Sequence, residues 1–364
     1  MGMGVYVSFS FRVLVNAEAM NAVESLGNII RHRKATVIVP RGNSHQVVTV
    51  PVVSGEAIRH GYQFELAKLA KVRGIKVCKL CEQGEFVKHG IEDLISKLEP
   101  DLYKTLSSDD VNLRDKEYAI IESCAVEDIA GFLVPMRNVQ IKRTSRVEVS
   151  YMIPAIDGLK YGLDTQFHVR HAPQAQQALG QQGQAAQPQS IYYIESASAI
   201  YTFTVNIDLT GIGQVSNCIY REGNDIKIDC NKALDPSERV RRVELALDAL
   251  AELIKRGPIG GHHSSYSPHW LPGSAVALIT RPIPTVAYPG HYTNFIIKTR
   301  DLAEGNRALL GGNYAYVLVA FKDDKVDPGV DVQGISEAKY SIPEFFMAVK
   351  EIALNWVREE FGVK

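Results

Sequence analysis

The sharpest apparent catalytic signal in the chain is a histidine pair, His262 and His263, beside Gly260 and Gly261 in the loop GPIGGHHSS. Glycines let the backbone approach a phosphate closely, and an imidazole there could serve as general base in RNA cleavage. No partner acid, tyrosine or lysine can be placed beside the pair from sequence, so the loop reads as RNA binding or loop structure ahead of catalysis. Cys78 and Cys81 make a lone C-x-x-C. A tetrahedral zinc site would need two further ligands, such as His89 or Cys124, and with only half a site in view no metal and no cofactor are assigned.

Basic side chains suggest a different chemistry. Asn16 is followed by the knot Arg31, His32, Arg33 and Lys34, which could track phosphates. A second run, residues 137–146, holds Arg137, Lys142, Arg143 and Arg146 with no acid. Arg59 and His60 follow Ser54, a candidate N-cap, so that helix dipole and backbone N–H groups would favour an anion nearby. His168, Arg170 and His171 lie on a later excursion, where they could meet nucleic acid or be plain hairpin surface. Residues 82–128 run acidic, so the net charge of −1 can hide a basic surface.

Something must position these groups, and the pattern of apolar residues says what. Residues 5–16, VYVSFSFRVLVN, alternate strictly: Val5, Val7, Phe9, Phe11, Val13 and Val15 fall on one side. That is a strand roughly 40 Å long with one apolar face. Its other face, Tyr6, Ser8, Ser10, Arg12, Leu14 and Asn16, reads as wettable and free to hold a ligand. The segment from Ala17 to Pro40 is expected to pack beside the sheet. A helix then runs from Ser54 to about Arg73, and residues 78–140 form a largely helical insertion. Strand character returns at residues 147–153 and 201–209, separated by an excursion whose Gln-rich middle, residues 173–190, cannot bury enough apolar area to order itself. A second helix has Asp235 as its cap, Pro236 at the first position and Glu238 completing a capping box, with Val240, Val243, Leu247, Leu250 and Ile254 in one stripe ended by Gly257. A strand from Ser274 and a terminal helix from Ser341 follow. The reduced order is βαββαβ, that of the α+β ferredoxin-like fold shared by RNA recognition motifs.

A chain of 364 residues admits one domain with large insertions or two domains. No apolar run reaches the roughly 18 residues of a membrane helix, and no signal peptide is visible, so a soluble cytoplasmic protein without membrane partners is expected. Five cysteines, an odd number, fit reduced thiols better than disulfides.

The blocks FRVLVNAEAMNAVESLGNIIRHRKA, VPVVSGEAIRHGYQ, VEDIAGFL and GPIGGHHSS closely resemble the archaeal type I-A backbone subunit of the CRISPR surveillance complex Cascade, the Cas-seven group, also described as DevR-like autoregulators. The resemblance covers most of the chain, the Gln-rich tract excepted. It implies an RNA-recognition-like palm in residues 1–75, 141–156 and 198–285, a lid-like helical insertion in 76–140, a thumb-like hairpin in 157–197 and a C-terminal extension in 286–364. It also implies a non-catalytic subunit that assembles with copies of itself along a CRISPR RNA and presents the spacer to target DNA. Its other expected partners are Cascade subunits: a Cas-five-type protein, small and large subunits and a helicase-nuclease. Asn16, Ser54, Gly260, Gly261, His262, His263 and the basic residues above, Arg137 excepted, are then the expected RNA contacts. The alternative is a metal-independent CRISPR-processing endoribonuclease on the same core, which commonly carries two such modules where this chain shows one clear copy.

Overall fold

The computed structural model describes residues 4–20, 22–26, 29–136, 139–157, 159–170, 190–223, 225–257, 259 and 268–363. The alternating first stretch becomes β1 (Tyr6–Glu18), central in a ten-stranded mixed sheet. Next come the hairpins β2 (Ala22–Leu26) with β3 (Ile29–His32) and β4 (Lys34–Arg41) with β5 (Ser44–Pro51). The first of these joins the large sheet, and the second forms a separate ribbon. The helical insertion ends in the hairpin β6 (Phe132–Met136) and β7 (Val139–Arg143), after which β8 (Val147–Val149), β9 (Ile153–Pro154) and β10 (Tyr161–Arg170) lead to the long β11 (Ser190–Asp208). A small hairpin, β12 (Ile219–Glu222) and β13 (Asp225–Ile228), precedes β14 (His269–Arg281), β15 (Ala315–Lys322) and β16 (Glu337–Lys339).

The sheet runs β16, β15, β14, β1, β11, β3, β2, with β8, β9 and β10 also paired to β11. β1 is antiparallel to both neighbours, Phe9 standing between Ala277 and Val205 and Phe11 between Ala275 and Phe203. The pleat sends Val5, Val7, Phe9, Phe11, Val13 and Val15 to one face, all buried. Three long helices cover them: Gly55–Val72, Pro236–Arg256 and Ile342–Phe361. The Pro236–Arg256 helix buries its expected stripe and stops at Gly257, whose φ of 60° suits a residue without a Cβ. Its cap differs from the expected box. Asp235 accepts from the Ser237 amide at 2.9 Å, while the Glu238 carboxylate turns to Arg241 and Arg242.

The other face of β1 is not open along its length. Ser8, Ser10 and Arg12 are buried, because residues 282–336, including the helix Phe295–Leu310, fold back over them. Phe295, Ile296, Ala303 and Val330 supply that cover with an apolar underside, packed on Val276, Leu278, Leu318 and Ala320. Beneath it Ser8 Oγ donates to Asn206 at 2.7 Å and accepts from the Ala287 amide at 2.8 Å, whereas Ser10 Oγ is buried without a hydrogen-bond partner.

The insertion holds five helices, Lys79–Glu82, Glu92–Leu98, Pro100–Ser107, Leu113–Ser123 and Ala125–Ala130. Ile95, Leu106, Ile120, Ile121, Phe132, Val134 and Ile141 give it a second core, completed by Val215 and Leu234 from beyond the insertion. The expectation of uniformly reduced thiols is overturned at one place. Cys218 and Cys230 flank the β12–β13 hairpin, which brings their Cα atoms to 4.4 Å, and they form a disulfide. No described helix is long and apolar enough to cross a membrane.

Candidate nucleic-acid interface

Where the cover ends, near the last residues of β1, a cleft of about 890 Å³ opens. Leu14, Asn16, Lys160, Tyr161, Ser198 and Thr293 contribute to its walls. Its floor is fixed by Arg12, whose Nε and Nη2 donate to Asp327 at 2.8 and 3.2 Å and whose Nη1 donates to Asp157 at 3.1 Å and to the Gly290 carbonyl at 2.9 Å. Ser274 Oγ adds a hydrogen bond to Asp327 at 2.6 Å. One guanidinium therefore ties β1 to the covering segment, and two carboxylates flank it. Above this floor Asn16 and Lys160 are exposed. The Tyr161 hydroxyl donates to the Thr49 carbonyl at 2.9 Å, so the start of β10 is held against the β4–β5 ribbon.

The basic knot where β3 passes into β4 divides. Arg31 and Lys34 are exposed, with Lys34 Nζ 3.3 Å from Glu195, and Arg33 is half-buried. His32 is a correction: it is only 3% exposed, and its Nδ1 donates to the Arg33 carbonyl at 2.9 Å. Burial pushes its pKa below the ordinary imidazole value. A neutral buried imidazole is packing, not a phosphate ligand.

Ser54 is a second correction. Its Oγ accepts from the Ala57 amide at 3.2 Å, as an N-cap should, and it is buried in that role. The helix start does not offer an anion site either, since a Cβ on Gly55 would lie 2.2 Å from the Val149 carbonyl oxygen. Strand backbone occupies that space. One turn on, Arg59 is half-buried and His60 exposed, its ring edge-on to Phe64 at 5.0 Å and Phe86 at 5.3 Å. Lys88 approaches Arg59, and burial together with that like charge lowers its pKa. Phe64, Phe86 and Lys88 were not singled out from sequence, although the i, i+4 spacing of His60 and Phe64 carries part of that signal. Lys160 and Tyr161 were missed because nothing local marks the mouth of a cleft.

Arg143 is the third correction. Its side chain is fully buried, pairing with Glu117 at 3.0 Å and Asp128 at 2.6 Å and donating to the Gly211 and Gln214 carbonyls. Arg242 meets the same Asp128 at 3.0 Å. This is a neutral internal network that joins the insertion to the Pro236–Arg256 helix. Lys142 is exposed, and Arg146 is half-buried against Asp208 at 3.0 Å. His168 and Arg170 lie on β10, where only the backbone is described. His171, Gly260, Gly261, His262, His263 and Arg137 fall outside the described residues.

Fold and site together define a class: an α+β protein whose mixed sheet is helix-backed on one face and capped on the other, with a hydrogen-bonding cleft and exposed cations beyond the cap. The chain belongs to a particular family within it. The family described as CRISPR-associated negative auto-regulator DevR/Csa2 matches residues 9–300. Two relatives from Saccharolobus solfataricus agree. CRISPR-associated protein Cas7/Csa2 1 is 37% identical over 265 residues, 72% of this chain and 76% of that protein. CRISPR-associated aCascade subunit Cas7/Csa2 2 is 32% identical over 333 residues, 90% of this chain and 95% of that protein. A chain of a solved CRISPR RNA-guided surveillance complex superposes at a TM-score of 0.44 with 11% identity, covering 96% of this chain and 99% of that one, too loosely to carry an inference.

Proposed function

We propose that this protein is a non-catalytic backbone subunit of a type I-A Cascade complex, which lines up along a CRISPR RNA and holds its spacer for pairing with target DNA. The carrying observation is the relative named an aCascade subunit, matched over 95% of its length. The antiparallel order β14, β1, β11, β8, with the Gly55–Val72 and Pro236–Arg256 helices among the three on one face, supports an RNA-recognition-like palm. On this reading the β10–β11 pair is the thumb, the insertion is the lid, and Asn16, Arg31, Arg33, Lys34, Arg59, His60, Lys142, Arg146 and Lys160 face the RNA. Such a surface grips the backbone and leaves sequence to base pairing.

The test has two arms. Protein purified from a host with a matching CRISPR array should carry small RNA derived from that array, and recovery of none would overturn the reading. Affinity for single-stranded RNA should fall steeply with added salt and depend little on sequence, because phosphate contacts release counterions. A flat salt response would equally count against it.

A further inference from the structure

Every cysteine outside the disulfide converges on one point. Cys78 and Cys81 stand at the start of the insertion, around its Lys79–Glu82 helix. Cys124 stands far along it in sequence, at the corner between the Leu113–Ser123 and Ala125–Ala130 helices. All three are buried, and their sulfurs lie within 4.8 Å of one another. Cys78 is also within 4.8 Å of a ring nitrogen of His89 and a carboxylate oxygen of Glu127, both buried. Three soft donors and an imidazole from separate segments therefore share one dry volume.

Two further features suit a cation there. The Cys81 amide donates to Cys78 Sγ at 3.5 Å, the N-cap contact of the Lys79–Glu82 helix, which fixes that sulfur's position in the cluster. Lys88 and His89 are consecutive non-glycine residues with φ of 55° and 50°, a left-handed turn that delivers the imidazole inward. Strained backbone of this kind persists where a site over-determines it.

We propose that Cys78, Cys81, Cys124 and His89 bind one zinc ion that staples the two ends of the helical insertion together. Zinc–sulfur bonds of about 2.3 Å put tetrahedral sulfurs about 3.8 Å apart, so the three sulfurs close by at most about an ångström. The three thiols and the imidazolium, which stands between two carboxylates, each give one proton to solvent, so that the four ligands and the ion carry one residual negative charge and no oxidant is required. His89 is assigned over Glu127 as the fourth ligand because three thiolates and one imidazole make a common structural zinc set. One of its ring nitrogens, Nε2, also lies 3.4 Å from Glu99, the carboxylate partner that a metal-bound imidazole takes. Nδ1, now 2.5 Å from Glu127, is the nitrogen that turns to the metal.

Elemental analysis of the purified full chain should find one zinc per chain. Metal-free protein titrated with Co²⁺ should develop the sulfur-to-metal charge-transfer band and strong visible absorption of a tetrahedral thiolate site. Less than stoichiometric zinc after refilling, together with no charge-transfer band, would overturn the proposal and leave three buried thiols packed as small apolar groups. These measurements need no variant, so a folding defect cannot mask the outcome. Among variants that fold, Cys124→Ser should weaken zinc binding at least a hundredfold and His89→Ala at least tenfold, with Glu127→Gln near the parent. Loss of binding in Glu127→Gln alone would overturn the assignment of His89.

Discussion

Lys142 and Arg143 are neighbours in β7 with opposite fates, and the period of a strand explains it: one side chain meets water and the next faces inward. Both belong to a run that residue type alone marks as surface, because arginine is seldom fully buried unless paired. The pairing here comes from Glu117 and Asp128, residues whose proximity only the fold reveals. Arg143→Ala leaves two carboxylates short of a partner, and should destabilise the protein by about 3–5 kcal/mol, whereas Lys142→Ala should stay within about 0.5 kcal/mol. Urea unfolding of the two variants checks this, and equal midpoints would refute the burial argument. His32 gives a pH effect at the same scale. Burial lowers its folded pKa, so as pH falls the unfolded chain takes up a proton first. Its contribution is complete above the ordinary imidazole pKa of 6.5 and is lost as pH drops through the lower folded value. Stability should therefore decline as pH falls below 6.5, and less so in His32→Gln. Parallel melts of parent and variant with identical pH slopes would contradict it.

At the scale of elements, the best-read segments were those whose signal is local. The period-two run of β1, the Ser54 and Ser341 caps, and the Pro236–Gly257 bracket all appear within a residue or two of their expected places. The cover over β1 was not read, and the reason is equally local. The Phe295–Leu310 helix has no side-chain cap bond from Asn294 and no acid in its first turn, so nothing announced it. The face of β1 beneath it, serines and an arginine, also looked wettable, because a sequence does not show that Arg12 will meet Asp157 and Asp327. That clamp predicts which element loosens first. Asp327→Ala removes the bidentate partner of Arg12 and the acceptor of Ser274, and should speed amide exchange across residues 282–336 while β1 and the Pro236–Arg256 helix keep their protection. Hydrogen exchange read by mass spectrometry separates the cases, and uniform acceleration everywhere would mean that the clamp acts on the whole fold instead.

For the whole molecule, the proposed function requires that copies meet along one strand of RNA, which is a head-to-tail contact between two different surfaces. Such an interface grows into an open filament unless its rotation closes, so RNA length sets filament length. The β4–β5 ribbon is the feature best suited to reach a neighbour. It stands apart from the large sheet, and its cross-strand pair Ile38 and Val47 is 62% and 66% exposed, two apolar side chains directly opposite one another with water around them. We assign a second copy as the surface they meet, since a ribbon beside the cleft would follow the RNA to the next subunit. Ile38→Lys with Val47→Lys should leave the fold and the binding of a short RNA, sized for one copy, unchanged. On RNA long enough for several copies, the double variant should bind singly where the parent forms rods in electron micrographs. Rods of parental length from the double variant would remove the ribbon from the interface. A parent that stays monomeric on long RNA, with its complex partners supplied, would remove the filament itself.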